Sequence, residues 1–106
     1  MKLERKYQTA QQALSYMDYE QAEKLASEVL NEAGPSPGVY MLLGNIYTRT
    51  GRNDEAASMY HKVIQLQPHN PEAYNNLGIA QRHLQQLDDA INSFSRAHEF
   101  APERAD

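Results

Sequence analysis

The chain has 106 residues, 41% of them hydrophobic, no Cys, no Trp and a formal net charge of −4. The missing Cys excludes disulfides, thiolate metal sites and a Cys nucleophile, and no apolar run approaches the ~20 residues of a membrane span or forms a signal-peptide core after Met1. Residues 3–36 carry three basic and six acidic side chains, 37–70 three and two, and 71–104 three and five, so no stripe is basic enough to neutralise phosphates and nucleic acid is not an expected partner.

The first predicted helix places Leu3, Tyr7, Ala10, Leu14 and Met17 on one stripe, and the second places Tyr19, Ala22, Leu25, Ala26, Val29 and Leu30 on another. Gly34, Pro35, Ser36, Pro37 and Gly38 form a short joint, too short for a domain linker. Ser36 then caps a third helix with Pro37 in its first turn. Its apolar positions are Val39, Tyr40, Leu43, Ile46 and Tyr47, and Gly51 ends it by taking a left-handed conformation. Asn53 is expected to cap the fourth helix, with Asp54 and Glu55 at the positive end of its dipole. Ala56, Tyr60, Val63, Ile64 and Leu66 are its buried stripe, and Pro68 closes it.

Asn70 and Pro71 open a fifth helix, with Ala73, Tyr74, Leu77, Ala80 and Leu84 facing inward. Gln85 stands where Gly51 stood, so this turn is expected to be strained or slightly different in shape. The sixth helix buries Leu87, Ala90, Ile91, Phe94, Ala97 and Phe100 before Pro102. The plan of one hairpin thus recurs. Residues 37–70 overlay 71–104 at a 34-residue offset, with Tyr40 on Tyr74, Leu43 on Leu77, Gly44 on Gly78, Ala56 on Ala90, Tyr60 on Phe94, Val63 on Ala97, Leu66 on Phe100 and Pro68 on Pro102. Aligning Leu3 with Pro37 extends the period to 3–36 through Ala10, Ala22 and Ala26, with Gly34 in the place of Pro68. A period of this size means stacked repeats, with an atypical terminal unit.

Tyr40, Leu43, Gly44, Tyr47, Ala56, Tyr60, Val63 and Pro68 resemble the tetratricopeptide repeat pattern in full. The last unit matches through Tyr74, Leu77, Gly78, Ala90, Phe94, Ala97 and Pro102, with Gln81 in place of the second aromatic. The resemblance implies an all-α, right-handed superhelical stack of three antiparallel helix hairpins, a single domain over residues 1–106 in repeats of about 3–36, 37–70 and 71–104. Gly44 and Gly78, with Ala56 and Ala90, are packing residues that let the helices of one hairpin approach.

By the same resemblance, the first helix of each hairpin lines a concave groove that binds a protein or peptide. The positions that face it are Glu4, Tyr7, Gln8, Gln11, Leu14 and Ser15, then Gly38, Met41, Leu42, Asn45, Thr48 and Arg49, then Glu72, Asn75, Asn76, Ile79, Arg82 and His83. Peptide contact is expected from Met41, Leu42, Asn45, Arg49, Asn75, Asn76, Ile79 and Arg82. Met41, Leu42 and Ile79 are expected to form an exposed apolar patch. Asn45 and Asn76 resemble the asparagine ladder of O-linked N-acetylglucosamine transferases, since an amide side chain can both donate to and accept from a peptide backbone. The carboxylate clamp that some relatives use on heat-shock chaperones is not matched: Tyr7, Gln11, Leu42, Glu72 and Asn76 hold its positions, and Met41 stands for its Lys when the frame shifts.

No catalytic, metal or cofactor chemistry is expected. His61, His69, His83 and His98 have no spacing that shares a helix face, HExxH is absent, and Asp88 and Asp89 sit where they serve a helix dipole. The chain reads as a non-enzymatic interaction module, cytoplasmic by default. Two alternatives stay open: a substrate-positioning segment of a larger glycosyl- or sulfotransferase, and a scaffold fragment that forms homo-oligomers through the uncapped C-terminal repeat. Pro102 to Asp106 are too few for a further helix, so the face of Ile91, Phe94 and His98 is expected to stay uncovered, as in a piece of a longer array or a pair of copies.

Overall fold

The computed structural model describes residues 2–101; the closing Pro102 and the segment to Asp106 lie outside the described residues. Six helices follow in order, α1 (Leu3–Ser15), α2 (Tyr19–Ala33), α3 (Pro37–Arg49), α4 (Asn53–Leu66), α5 (Pro71–His83) and α6 (Leu87–Phe100). They pair as α1–α2, α3–α4 and α5–α6, and successive hairpins join through α2–α3 and α4–α5. The result is an all-α right-handed superhelical stack measuring 43 × 28 × 24 Å.

Side-chain caps start α2, α3 and α5. Ser36 Oγ accepts the Val39 amide at 3.2 Å and Asn70 Oδ1 accepts that of Ala73 at 3.1 Å, with Pro37 and Pro71 in the first turns. Asp18, not singled out above, caps α2 by accepting from Gln21 N at 3.3 Å. The expected cap of α4 is displaced by one residue. Arg52 occupies the N-cap position without a capping bond, and Asn53 is the first helical residue, its Oδ1 buried without a partner.

Turn geometry explains that shift. Gly51, Gln85 and Met17 hold equivalent places and all have positive φ, at 77°, 64° and 63°. After each, an amide reaches back to the same carbonyl: Asp18 N to Ala13 O at 2.8 Å, Arg52 N to Tyr47 O at 2.8 Å and Gln86 N to Gln81 O at 2.9 Å. Asp18, Arg52 and Gln86 are therefore the N-caps in all three hairpins. The Gln85 turn keeps the shape of the Gly51 turn, so its departure from glycine is an energetic cost only. Met17 belongs to this turn and is 70% exposed, outside the buried stripe assigned to it.

Packing follows the small residues. A Cβ on Gly44 would stand 2.5 Å from Tyr60 Cε1, and one on Gly78 2.8 Å from Phe94 Cε1. Ala10, Ala22, Ala26, Ala56, Ala73 and Ala80 are fully buried beside them. Where α3 offers Tyr47, α5 offers Gln81, which is buried and accepts a 2.6 Å hydrogen bond from Ser93 Oγ. Leu3, Leu66, Leu87 and Ile91, expected on buried stripes, are exposed. Ile91 is one repeat on from Ala57, which packs against a cluster that Leu77 and Ala80 of α5 complete; no described helix covers α6 in that way.

Candidate functional site

Helices α1, α3 and α5 line one side of the stack, and two cavities open there. The larger, about 520 Å³, is walled by Tyr7, Gln11, Leu14 and Ser15 of α1, by Pro37, Gly38, Met41, Leu42 and Asn45 of α3, and by Gln67, Asn70 and Glu72. The smaller, about 310 Å³, is walled by Asn45, Thr48, Arg49, Tyr60, Glu72, Asn76 and Ile79. Asn45 and Glu72 belong to both and divide them.

The two asparagines meet across the α3–α5 boundary. Asn76 Nδ2 donates to Asn45 Oδ1 at 3.3 Å and lies 3.6 Å from Met41 Sδ. Tyr60 from α4 donates its hydroxyl to the same Asn45 oxygen at 2.7 Å. Thr48 Oγ1 stands 3.1 Å from the Tyr60 oxygen and 3.0 Å from the Gly44 carbonyl, so its single proton serves one of them at a time. Burial raises the Tyr60 phenol pKa, with the Thr48 hydrogen bond opposing it only in part, and the ring hydroxyl is a donor at neutral pH. The Asn45 oxygen thus accepts twice while its amide protons have no partner among the described residues; Asn76 likewise retains its carbonyl oxygen. One residue offers donors and its neighbour an acceptor.

The eight expected contact residues divide. Met41, Asn45, Arg49, Asn76 and Ile79 line one or both cavities. Leu42 reaches the floor of the larger one, but it is 5% exposed and packs in the core formed with α1 and α2; the apolar patch expected on the surface is here the roof of the core. The helical step from Met41 turns Leu42 towards the preceding hairpin. Asn75 faces elsewhere, into a third cavity with Pro71, Phe94, Ala97 and His98 that shares only Glu72 with the other two. Arg82 is exposed near the end of α5 and lines neither groove cavity. Tyr60, read from its spacing as packing only, is the residue missed. The signal in the sequence is the hydroxyl that separates Tyr60 from its repeat partner Phe94.

Among the described residues no group of three His, Asp or Glu side chains is placed to hold a metal ion, and no helix is long and apolar enough to cross a membrane.

Comparison with known proteins agrees with this architecture. One family model, described as TPR repeat, matches residues 44–84, and a second, Tetratricopeptide repeat, matches 71–104. The chain belongs to the tetratricopeptide repeat family. It is 29% identical over 89 residues to the human protein O-mannosyl-transferase TMTC1, a match covering 80% of this chain and 10% of that protein. The first TPR of Spaghetti (RPAP3), bound to the HSP90 peptide SRMEEVD, superposes with a TM-score of 0.90 at 19% identity, over 98% of this chain and 82% of that one. MamA superposes with a TM-score of 0.87 at 23% identity, over 92% and 57%. The chain therefore spans only a small part of the curated relative and just over half of MamA.

Proposed function

We propose that the chain is a protein-interaction module, its three repeats at about 3–36, 37–70 and 71–104 acting as one unit that holds an extended peptide in the groove of α1, α3 and α5. One observation carries this reading: Asn45 and Asn76 are joined through the Asn45 oxygen, so that the Asn45 amide protons and the Asn76 carbonyl oxygen are left without a hydrogen-bond partner among the described residues. That is the pair of groups a peptide bond requires. The resemblance to the family implies a peptide on this side, and the similar RPAP3 structure is bound to an HSP90 peptide.

The groove favours a different peptide from the acidic SRMEEVD of that structure, since Arg49 is the one basic residue in the two cavities. A heptapeptide selected from a phage-displayed random library supplies the probe. Asn45→Ala with Asn76→Ala is expected to weaken its binding by about tenfold or more in titration calorimetry, with the helices intact by circular dichroism and the thermal midpoint lowered only by the several degrees that losing the Tyr60–Asn45 hydrogen bond costs. Unaltered affinity would end the asparagine reading.

A second reading is favoured by the O-mannosyl-transferase match: the chain is the substrate-positioning segment of a larger enzyme. Sequencing the reading frame on both sides of residues 1–106 decides it, a transferase domain being the expected outcome. Pairing of two copies through the C-terminal repeat would use Leu87 and Ile91, 55% and 64% exposed on α6. Sedimentation velocity tests it, and a monomer at every concentration rules it out.

A further inference from the structure

We infer that the larger groove cavity receives a basic side chain, lysine or arginine, of the bound peptide. This rests on the groove reading and adds the chemical class of its occupant.

The cavity is built by an absence of side chain. Glu4, Gly38 and Glu72 hold the same place in the three repeats, and only the middle one is glycine. Gly38 is the second residue of α3, and a Cβ at this position would lie 3.0 Å from the Tyr7 hydroxyl. Gly38 thus leaves open the space between Tyr7 and Met41 that any larger residue would narrow.

Its walls suit a cation on an aliphatic stem. Met41 provides apolar surface over the buried Leu14 and Leu42, and Tyr7 an aromatic ring. Lysine and arginine lay their methylenes on such surfaces while the charged head reaches a polar rim. At that rim Glu72 is the one charged residue lining the cavity, and it pairs with no basic side chain among the described residues. Lys6, next to Tyr7 in sequence, is turned away and held by Glu28 and Glu32 at 3.2 and 2.9 Å. An anionic occupant would meet like charge from Glu72 with no basic residue lining that cavity. The neighbouring smaller cavity carries both signs, Arg49 and Glu72, and makes no such demand.

The experiment pans a phage-displayed library of random heptapeptides against the chain and measures synthetic copies of the retained sequences by fluorescence anisotropy. A shared Lys or Arg is expected at one position, and replacing it by norleucine or citrulline should lower affinity by about fivefold, the size of a partly exposed ion pair. Glu72→Gln should produce the same loss with the basic peptide and none with its neutral analogue, while circular dichroism shows the helices intact. Retained peptides that lack a basic residue, or basic peptides indifferent to Glu72→Gln, overturn the inference and leave the groove reading standing if Asn45→Ala weakens them. Retention of no peptide overturns both.

Discussion

At the scale of single residues, the close contact of Gly44 with Tyr60 does two tasks. The glycine admits the ring, and the ring carries a hydroxyl to Asn45. Gly44→Ala is expected to destabilise the fold by about 1–3 kcal/mol, because its Cβ cannot share space with the ring without moving a helix; urea denaturation measures it. Tyr60→Phe separates the two tasks. Phe94 fills the equivalent place against Gly78, so the variant should fold with a loss of about 1 kcal/mol for the deleted hydrogen bond. Its Asn45 is then held by Asn76 alone, and peptide affinity should fall further than the small stability change predicts. Equal affinity in anisotropy titrations would show that the hydroxyl does not position Asn45.

Helices and turns carry the second set of expectations. Gln85 and Met17 adopt the left-handed conformation that Gly51 takes without strain. Gln85→Gly should raise stability by about 0.5–1 kcal/mol, the left-handed penalty less the extra freedom of glycine in the unfolded chain, seen as a higher urea midpoint at constant slope. Between the first two hairpins, Arg52 spans Glu23 at 2.7 Å and Glu55 at 2.8 Å and stacks 4.3 Å above the Tyr47 ring. The Arg52 hydrogen bond holds the Glu55 carboxyl below its usual range. A carboxylate with a lowered folded pKa stabilises the fold fully above the unfolded value of about 4.3, and that contribution is lost as pH falls through the lower folded value. The thermal midpoints of the wild type and Arg52→Ala should therefore converge in acid and in high salt; a gap independent of both would assign the role of Arg52 to packing on Tyr47.

For the whole molecule, stacking without long-range closure sets where stability lies. Only the α3–α4 hairpin has a described neighbour on both sides, and its Leu43, Ile46, Tyr60 and Val63 are the largest fully buried side chains. Amide hydrogen exchange should be slowest in α3 and α4 and faster in α1 and α6, as nearest-neighbour coupling requires. Uniform protection would indicate a single cooperative unit.

How much of this is legible in the sequence depends on the range of the interaction. The 34-residue period, the caps Ser36 and Asn70 and the glycines at the helix crossings follow from chain-local chemistry, and those features carry the hairpin plan. Asn53 misled because Asn is a good cap in isolation, whereas the turn after Gly51 sets the cap one residue earlier. Leu42 misled because a residue's face depends on where the preceding hairpin lies. The link from Tyr60 through Asn45 to Asn76 joins three helices, and nothing in local spacing shows which amide oxygen is already taken. The sequence by itself determined which residues build the repeats, since burial periodicity is a property of each helix. The tertiary structure alone decided which groove atoms keep an unfilled hydrogen-bonding position, since hydrogen-bond saturation is a property of helices brought together.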